Sequence, residues 1–200
     1  ATLMVAAYGQ KDAPEFNLRG AMAVAPGGYQ YEGIAKYAAS HPQIEKSVIA
    51  FLPIVLLGAE AAEPSLDIMN LLSPEMGEIV NRARNRGLSE LQASVQEAPK
   101  TVFKPDANLN PLIDYSKKQS IENMIPTVPV MIIQGDKDQI VDPHGTYAYY
   151  QQICKMGKPI AFQPVEGADH HGSLSQSEFM VADFINSIEH KQFKSTCGKE

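Results

Sequence analysis

The 200 residues carry 44% apolar and 20% charged side chains and a net charge of −6 at pH 7, enough apolar material for one globular domain rather than a string of modules. The charge is spread along the chain with no basic block, which argues against nucleic acid or an anionic membrane surface as the main partner. The longest apolar stretch, residues 48–58, is interrupted by Pro53 and falls short of the roughly 20 residues that a membrane-spanning helix needs, so no transmembrane segment is expected.

The chain opens Ala1-Thr2-Leu3 rather than with Met, which suggests a processed product or a piece of something longer. Residues 1–9 (ATLMVAAYG) are helix formers, apolar on nearly all sides, and predict a buried helix closed by Gly9. Residues 17–25 (NLRGAMAVA) predict a buried strand that opens at Pro26-Gly27-Gly28 into a loop. From about residue 29 to residue 110 the pattern is helical with no convincing strand, and Pro42, Pro53, Pro64, Pro74 and Gly87 mark breaks, so this stretch reads as an inserted helical cap. Within it Ser73 is placed as an N-cap, with Pro74 in the first helical position. The apolar run VIAFLPIVLLG around Phe51, Leu52, Val55 and Leu56 is either helix core or the lining of an acyl pocket.

Strands return in the last third. Residues 128–134 (VPVMIIQ) form a continuous β-branched run before Gly135, the pattern of a strand buried on both faces, and residues 159–165 (PIAFQPV) form another. Residues 145–155 between them read as a helix, and residues 173–190 as an amphipathic closing helix with Phe179, Val181, Phe184, Ile185 and Ile188 on its apolar side. Alternating strand and helix predicts an α/β fold with a parallel sheet flanked by helices.

In such a sheet, functional groups gather in loops past the carboxyl ends of strands. After the first of these two strands comes GDKDQIVDP, and after the second EGADHHGS. An acid on one loop can hold the imidazole Nδ1–H of a histidine on the next, fixing the tautomer that lets Nε2 take a proton from a nucleophile. Asp136, Asp138, Asp142 and Asp169 are all available as that acid, and loop or capping duty is the usual occupation of such aspartates. His170 and His171 are adjacent, so only one can face the acid; His41, His144 and His190 read as surface positions. Ser173, three residues before Gln176, has the pattern of a capping box at the start of the closing helix rather than of a nucleophile. By count alone Cys154 and Cys197 are as compatible with two buried thiols as with a disulfide.

PVMIIQGDKDQIVDP followed by VEGADHHG resembles the end of α/β-hydrolases, and within them the secretory lipase family. The family's D-E-I-V-like acid loop is matched by Asp138-Gln139-Ile140-Val141, with Asp136 as the rival acid, and its histidine after a small and an acidic residue by Ala168-Asp169-His170. The resemblance therefore implies a catalytic pair of Asp138 and His170, with a carboxylate oxygen about 2.6 to 3.2 Å from a ring nitrogen. A cysteine between these loops and another near the C-terminus also fit the family and imply a disulfide between Cys154 and Cys197, which would tie down the polar tail KQFKSTCGKE and point to a secreted or periplasmic protein. Residues 1–9 and 17–28 are similar to the helix that follows the family's nucleophile elbow and to the next strand; the cap is matched poorly.

No G-x-S-x-G occurs in the chain. The resemblance implies that the serine, and with it the oxyanion-hole donors, lies a few residues before Ala1. The implied protein is the C-terminal part of an α/β-hydrolase domain (residues 1–200, cap about 29–110). It would act on carboxylic esters, acylglycerols above all, with its N-terminal segment as a partner, joined to it or as a separate chain. No metal or organic cofactor is implied. The alternative is a fragment or binding protein that keeps the fold without turnover.

Overall fold

The computed structural model describes residues 1–31, 33, 46–94 and 99–198; His41 and the Pro42 break lie outside them. In chain order the described helices are α1 (Thr2–Asp12), α2 (Lys46–Ala62), α3 (Ile68–Leu71), α4 (Pro74–Ala83), α5 (Leu88–Ser94), α6 (Asn110–Gln119), α7 (Pro143–Lys155), α8 (His170–Ser175) and α9 (Glu178–Glu189). The strands are β1 (Ala21–Val24), β2 (Val130–Gly135) and β3 (Ile160–Val165). The chain forms two compact units, one of Ala1–Gln30 with Gln119–Glu200 and the other of Tyr31–Lys118.

The first unit holds a three-stranded sheet of order β1-β2-β3, parallel throughout, as the alternation of strands and helices predicts. All side chains of the central strand β2 except that of Met131 are buried. Because successive side chains point to opposite faces, Val130 and Ile132 pack with Leu3, Ala6, Tyr149 and Ile153, while Ile133 packs with Val165 and Ala168. The crossover from β2 to β3 is α7, whose N-cap Asp142 accepts the His144 N–H at 3.0 Å.

Several expectations for this unit need correction. Helix α1 does not stop at Gly9 but runs to Asp12, where the Ala13 N–H closes back on the Gly9 carbonyl at 2.9 Å. Gly9 serves packing instead: a Cβ there would stand 3.1 Å from Val5 Cγ1 and 3.4 Å from Leu18 Cδ2. Nor is the helix buried all round, since Leu3, Ala6 and Ala7 are covered while Met4, Val5 and Tyr8 are exposed. The closing helix is two helices: α8, whose N-cap Asp169 accepts the Gly172 N–H at 2.7 Å, and α9, which begins at Glu178. Of its expected apolar face, Phe184 is buried whereas Phe179, Val181 and Ile185 are exposed. Phe184 and Ile188 close on Gly20, where a Cβ would meet them at 3.1 and 3.2 Å; the strand that follows begins only at Ala21.

Cys154 and Cys197 form a disulfide. The tail it anchors is also hydrogen-bonded to β3: Thr196 N–H donates to the Ile160 carbonyl at 3.2 Å, and Phe162 N–H donates to Thr196 Oγ1 at 2.9 Å. A polar segment thus occupies backbone groups of β3 that would otherwise form an open edge.

The second unit is built from helices around Leu52, Leu56, Ile68, Leu72, Met76, Val80, Phe103 and Leu112. Ser73 caps α4 as predicted, its Oγ accepting the Met76 N–H at 3.2 Å with Pro74 in the first turn. Pro53, expected to break the chain, lies inside α2. A mid-helix proline costs about 3 kcal/mol, and burial of Leu52 and Leu56 offsets it at roughly 1.5–3 kcal/mol each. Leu52, Val55 and Leu56 border a cavity of about 10 Å³, the volume of roughly one water. Among the described side chains of this run, Leu52 and Leu56 are packed core, whereas Phe51 and Ile54 are exposed.

Candidate active site

The end of β2 turns sharply at Gly135, where no other residue fits: a Cβ would lie 2.2 Å from the Ala168 carbonyl oxygen and 2.6 Å from Ser173 Oγ. That close approach brings the loop after β2 against the loop after β3. Four bonds join them. Gly135 N–H donates to Ser173 Oγ at 2.9 Å, Lys137 N–H to the Ala168 carbonyl at 3.0 Å, Asp136 N–H to the Val165 carbonyl at 3.3 Å, and Gly167 N–H to Asp136 Oδ1 at 2.7 Å. Gly167 takes a φ of 69°, a left-handed conformation that glycine reaches without strain.

Across this joint the Asp138 carboxylate meets His170. Asp138 Oδ2 lies 2.9 Å from His170 Nδ1, inside the expected range. The aspartate side chain is fully buried, and the imidazole is 31% exposed. Asp138 Oδ1 accepts the N–H groups of Ile140 and Val141, each at 2.9 Å, so the D-x-I-V run folds into a turn about its own first side chain. Oδ2 also accepts from Gln134 Nε2 at 3.0 Å. Burial works against ionisation, but hydrogen bonds from Val141, His170, Ile140 and Gln134 outweigh it and hold Asp138 below the usual carboxylate range. An ionised carboxylate can only accept, so His170 carries its proton on Nδ1 in the neutral state. Nε2 then offers a lone pair, and it has no hydrogen-bond partner among the described residues.

The other candidates fall elsewhere. Asp136 locks the two loops together, Asp142 caps α7 and Asp169 caps α8. His171 is exposed, its ring edge-on to that of His170, and His144 and His190 are exposed too. Ser173 is not the N-cap of a closing helix. It lies inside α8, 0% exposed, and its hydroxyl donates to the Asp169 carbonyl at 2.8 Å while accepting from Gly135. Two residues of the network escaped the sequence reading. Gln134 had a signal, a long polar side chain at the end of an apolar strand run; the Ser173 contact with Gly135, 38 residues away, had none. Among the described residues no group of His, Cys, Asp and Glu could hold a metal ion.

A family model described as secretory lipase matches residues 84–186, just over half of the chain and including both Asp138 and His170. No curated protein matches the chain in sequence. Among solved structures, lipase A of Candida antarctica in its closed state superposes with a TM-score of 0.78 at 20% identity, over 99% of this chain and 48% of the lipase. Another structure of that lipase gives 0.79 at 19% identity, over 97% and 47%. The rice cell wall degrading esterase of Xanthomonas oryzae gives 0.69 at 12% identity, over 95% and 56%. The chain thus has the fold of these α/β-hydrolases and spans about half of their length.

Proposed function

The chain belongs to the secretory lipase family, and on that premise we propose that it supplies the acid and the histidine of a Ser-His-Asp carboxylic ester hydrolase acting on acylglycerols. The observation that carries the reading is the hydrogen bond between Asp138 Oδ2 and His170 Nδ1, made by a buried ionised acid and a partly exposed imidazole. In this scheme His170 Nε2 takes the proton of a serine hydroxyl as the serine oxygen bonds to the acyl carbon. The tetrahedral intermediate collapses with cleavage of the ester C–O bond, and the same proton passes from Nε2 to the leaving alcohol. Water then bonds to the acyl carbon as Nε2 takes its proton, the bond between that carbon and the serine oxygen breaks to release the acid, and the proton passes from Nε2 back to the serine. Asp138 remains ionised and stabilises the imidazolium formed in each half-reaction.

The serine belongs to a segment upstream of Ala1, which also supplies the oxyanion-hole donors, joined to this chain or as a separate one. Residues of about 29–110, inserted between β1 and β2, are read as the cap of the domain. The disulfide supports export to an oxidising compartment, periplasm or exterior. The test is a fluorophosphonate label on the full-length protein, followed by peptide mapping and turnover of p-nitrophenyl esters. The label is expected on a serine before Ala1, with His170→Ala and Asp138→Asn each lowering kcat by orders of magnitude. Turnover by the 200-residue chain alone, abolished by His170→Ala, would put the nucleophile inside these residues and overturn the assignment.

A further inference from the structure

We propose that Gln134 is a positioning residue for the Asp138–His170 pair, its side-chain amide fixing the carboxylate oxygen that faces the imidazole; the inference rests on the catalytic reading of that pair. Gln134 is 1% exposed in the central strand of the sheet. Its Nε2 donates to Asp138 Oδ2 at 3.0 Å and, less directly, to the Gly135 carbonyl at 3.2 Å. Its Oε1 is buried with no hydrogen-bond partner among the described residues. An unpartnered buried carbonyl opposes folding, and methionine or leucine would fill this space without it. A glutamine placed here for packing alone would therefore be a poor choice. What it offers that they lack is one N–H aimed at Oδ2.

That atom matters because the two ends of the carboxylate are held differently. Oδ1 is fixed by the backbone N–H groups of its own turn, whereas Oδ2 meets, among the described residues, two side chains, His170 and Gln134. With Gln134 gone, Oδ2 would keep His170 alone, and only the two backbone N–H groups on Oδ1 would resist a twist of the carboxylate out of the plane in which His170 donates. The reverse orientation of the amide would put Oε1 against the anionic oxygen, so the carboxylate itself dictates which end faces it.

The experiment compares Gln134→Met with Asp138→Asn in the full-length protein. Gln134→Met is expected to lower kcat on a p-nitrophenyl ester by roughly ten- to a hundred-fold, the loss of one bond to a charged group, with KM unchanged. It should also move or broaden the downfield proton resonance of His170 Nδ1–H, which a packing role would leave in place. Asp138→Asn at wild-type kcat would overturn the underlying catalytic reading. An inactive Asp138→Asn beside a Gln134→Met with wild-type kcat and an unmoved resonance overturns this inference alone. Should Gln134→Met not fold, the wild-type protein still decides. One side-chain amide proton of Gln134 is expected to resist hydrogen exchange, and free exchange of both refutes the role.

Discussion

Ser173→Ala removes a single oxygen from a place that solvent does not reach. The hydroxyl, 0% exposed, takes the Gly135 N–H at 2.9 Å and gives its own proton to the Asp169 carbonyl at 2.8 Å. The Asp169 carbonyl keeps another donor, the Ser173 N–H at 2.9 Å, so its loss is small. The Gly135 N–H loses the acceptor that satisfies it, and a buried donor left in that condition costs about 1–3 kcal/mol. At about 2–4 °C per kcal/mol for a chain of this size, the melting temperature should fall by about 2–12 °C. Alanine keeps the Cβ, so cavity formation adds little. The Lys137–Ala168 bond and the Asp136–Gly167 bond still hold the loops together, and turnover should be reduced but present. Circular dichroism melting of this chain measures the first, and p-nitrophenyl ester kinetics on the full-length protein the second. An unchanged melting temperature would refute the bridging role, and abolished turnover at unchanged stability would make Ser173 the nucleophile instead.

Two further outcomes are expected. In unreduced protein Cys154 and Cys197 should both resist alkylation; reducing their bond, which closes a loop with a sequence separation of 43, should cost about 4 kcal/mol in the chain-entropy model. That corresponds to a fall of about 8–16 °C in Tm, read by calorimetry with and without thiol, and two alkylated cysteines in unreduced protein would contradict the pairing. Asp138 has a folded-state pKa below its ordinary value of 3.8, so the stability it contributes is present above the unfolded value near 4 and is lost as the pH falls through the folded one. Asp138→Asn should therefore be less stable than wild type at pH 7, with the gap closing below about pH 4 in urea titrations; a gap independent of pH would show that the charge contributes nothing.

Much of the fold and the core of the candidate site could be read from the chain alone, because the signals there are local and repeat. An unbroken β-branched run such as VPVMII suits a strand buried on both faces, and two such runs separated by a helix are parallel by the geometry of the crossover. Their carboxyl ends then carry DKD and ADHH side by side whatever else surrounds them. The Ser73 cap and Pro74 were legible for the same reason: their interaction spans three residues.

Where the reading failed, the deciding contacts lie far apart in sequence. Helix α2 absorbs Pro53 because Leu52 and Leu56 are buried in a core assembled from residues up to Leu112. Intrinsic helix preferences differ by less than about 1 kcal/mol per ordinary residue, whereas burying one large apolar side chain contributes roughly 1.5–3 kcal/mol, so tertiary packing overrides local signals. Ser173 looked like a cap because S-x-x-Q is a local pattern, and only folding brings Gly135 N–H within 2.9 Å of its hydroxyl. The same holds for Asp138. Sequence named it among four aspartates by resemblance, but its burial, its four hydrogen bonds and its lowered pKa exist only once β2 and β3 lie next to each other. A carboxylate's electrostatic environment is set by everything within a few ångströms, and that neighbourhood is a property of the packed structure.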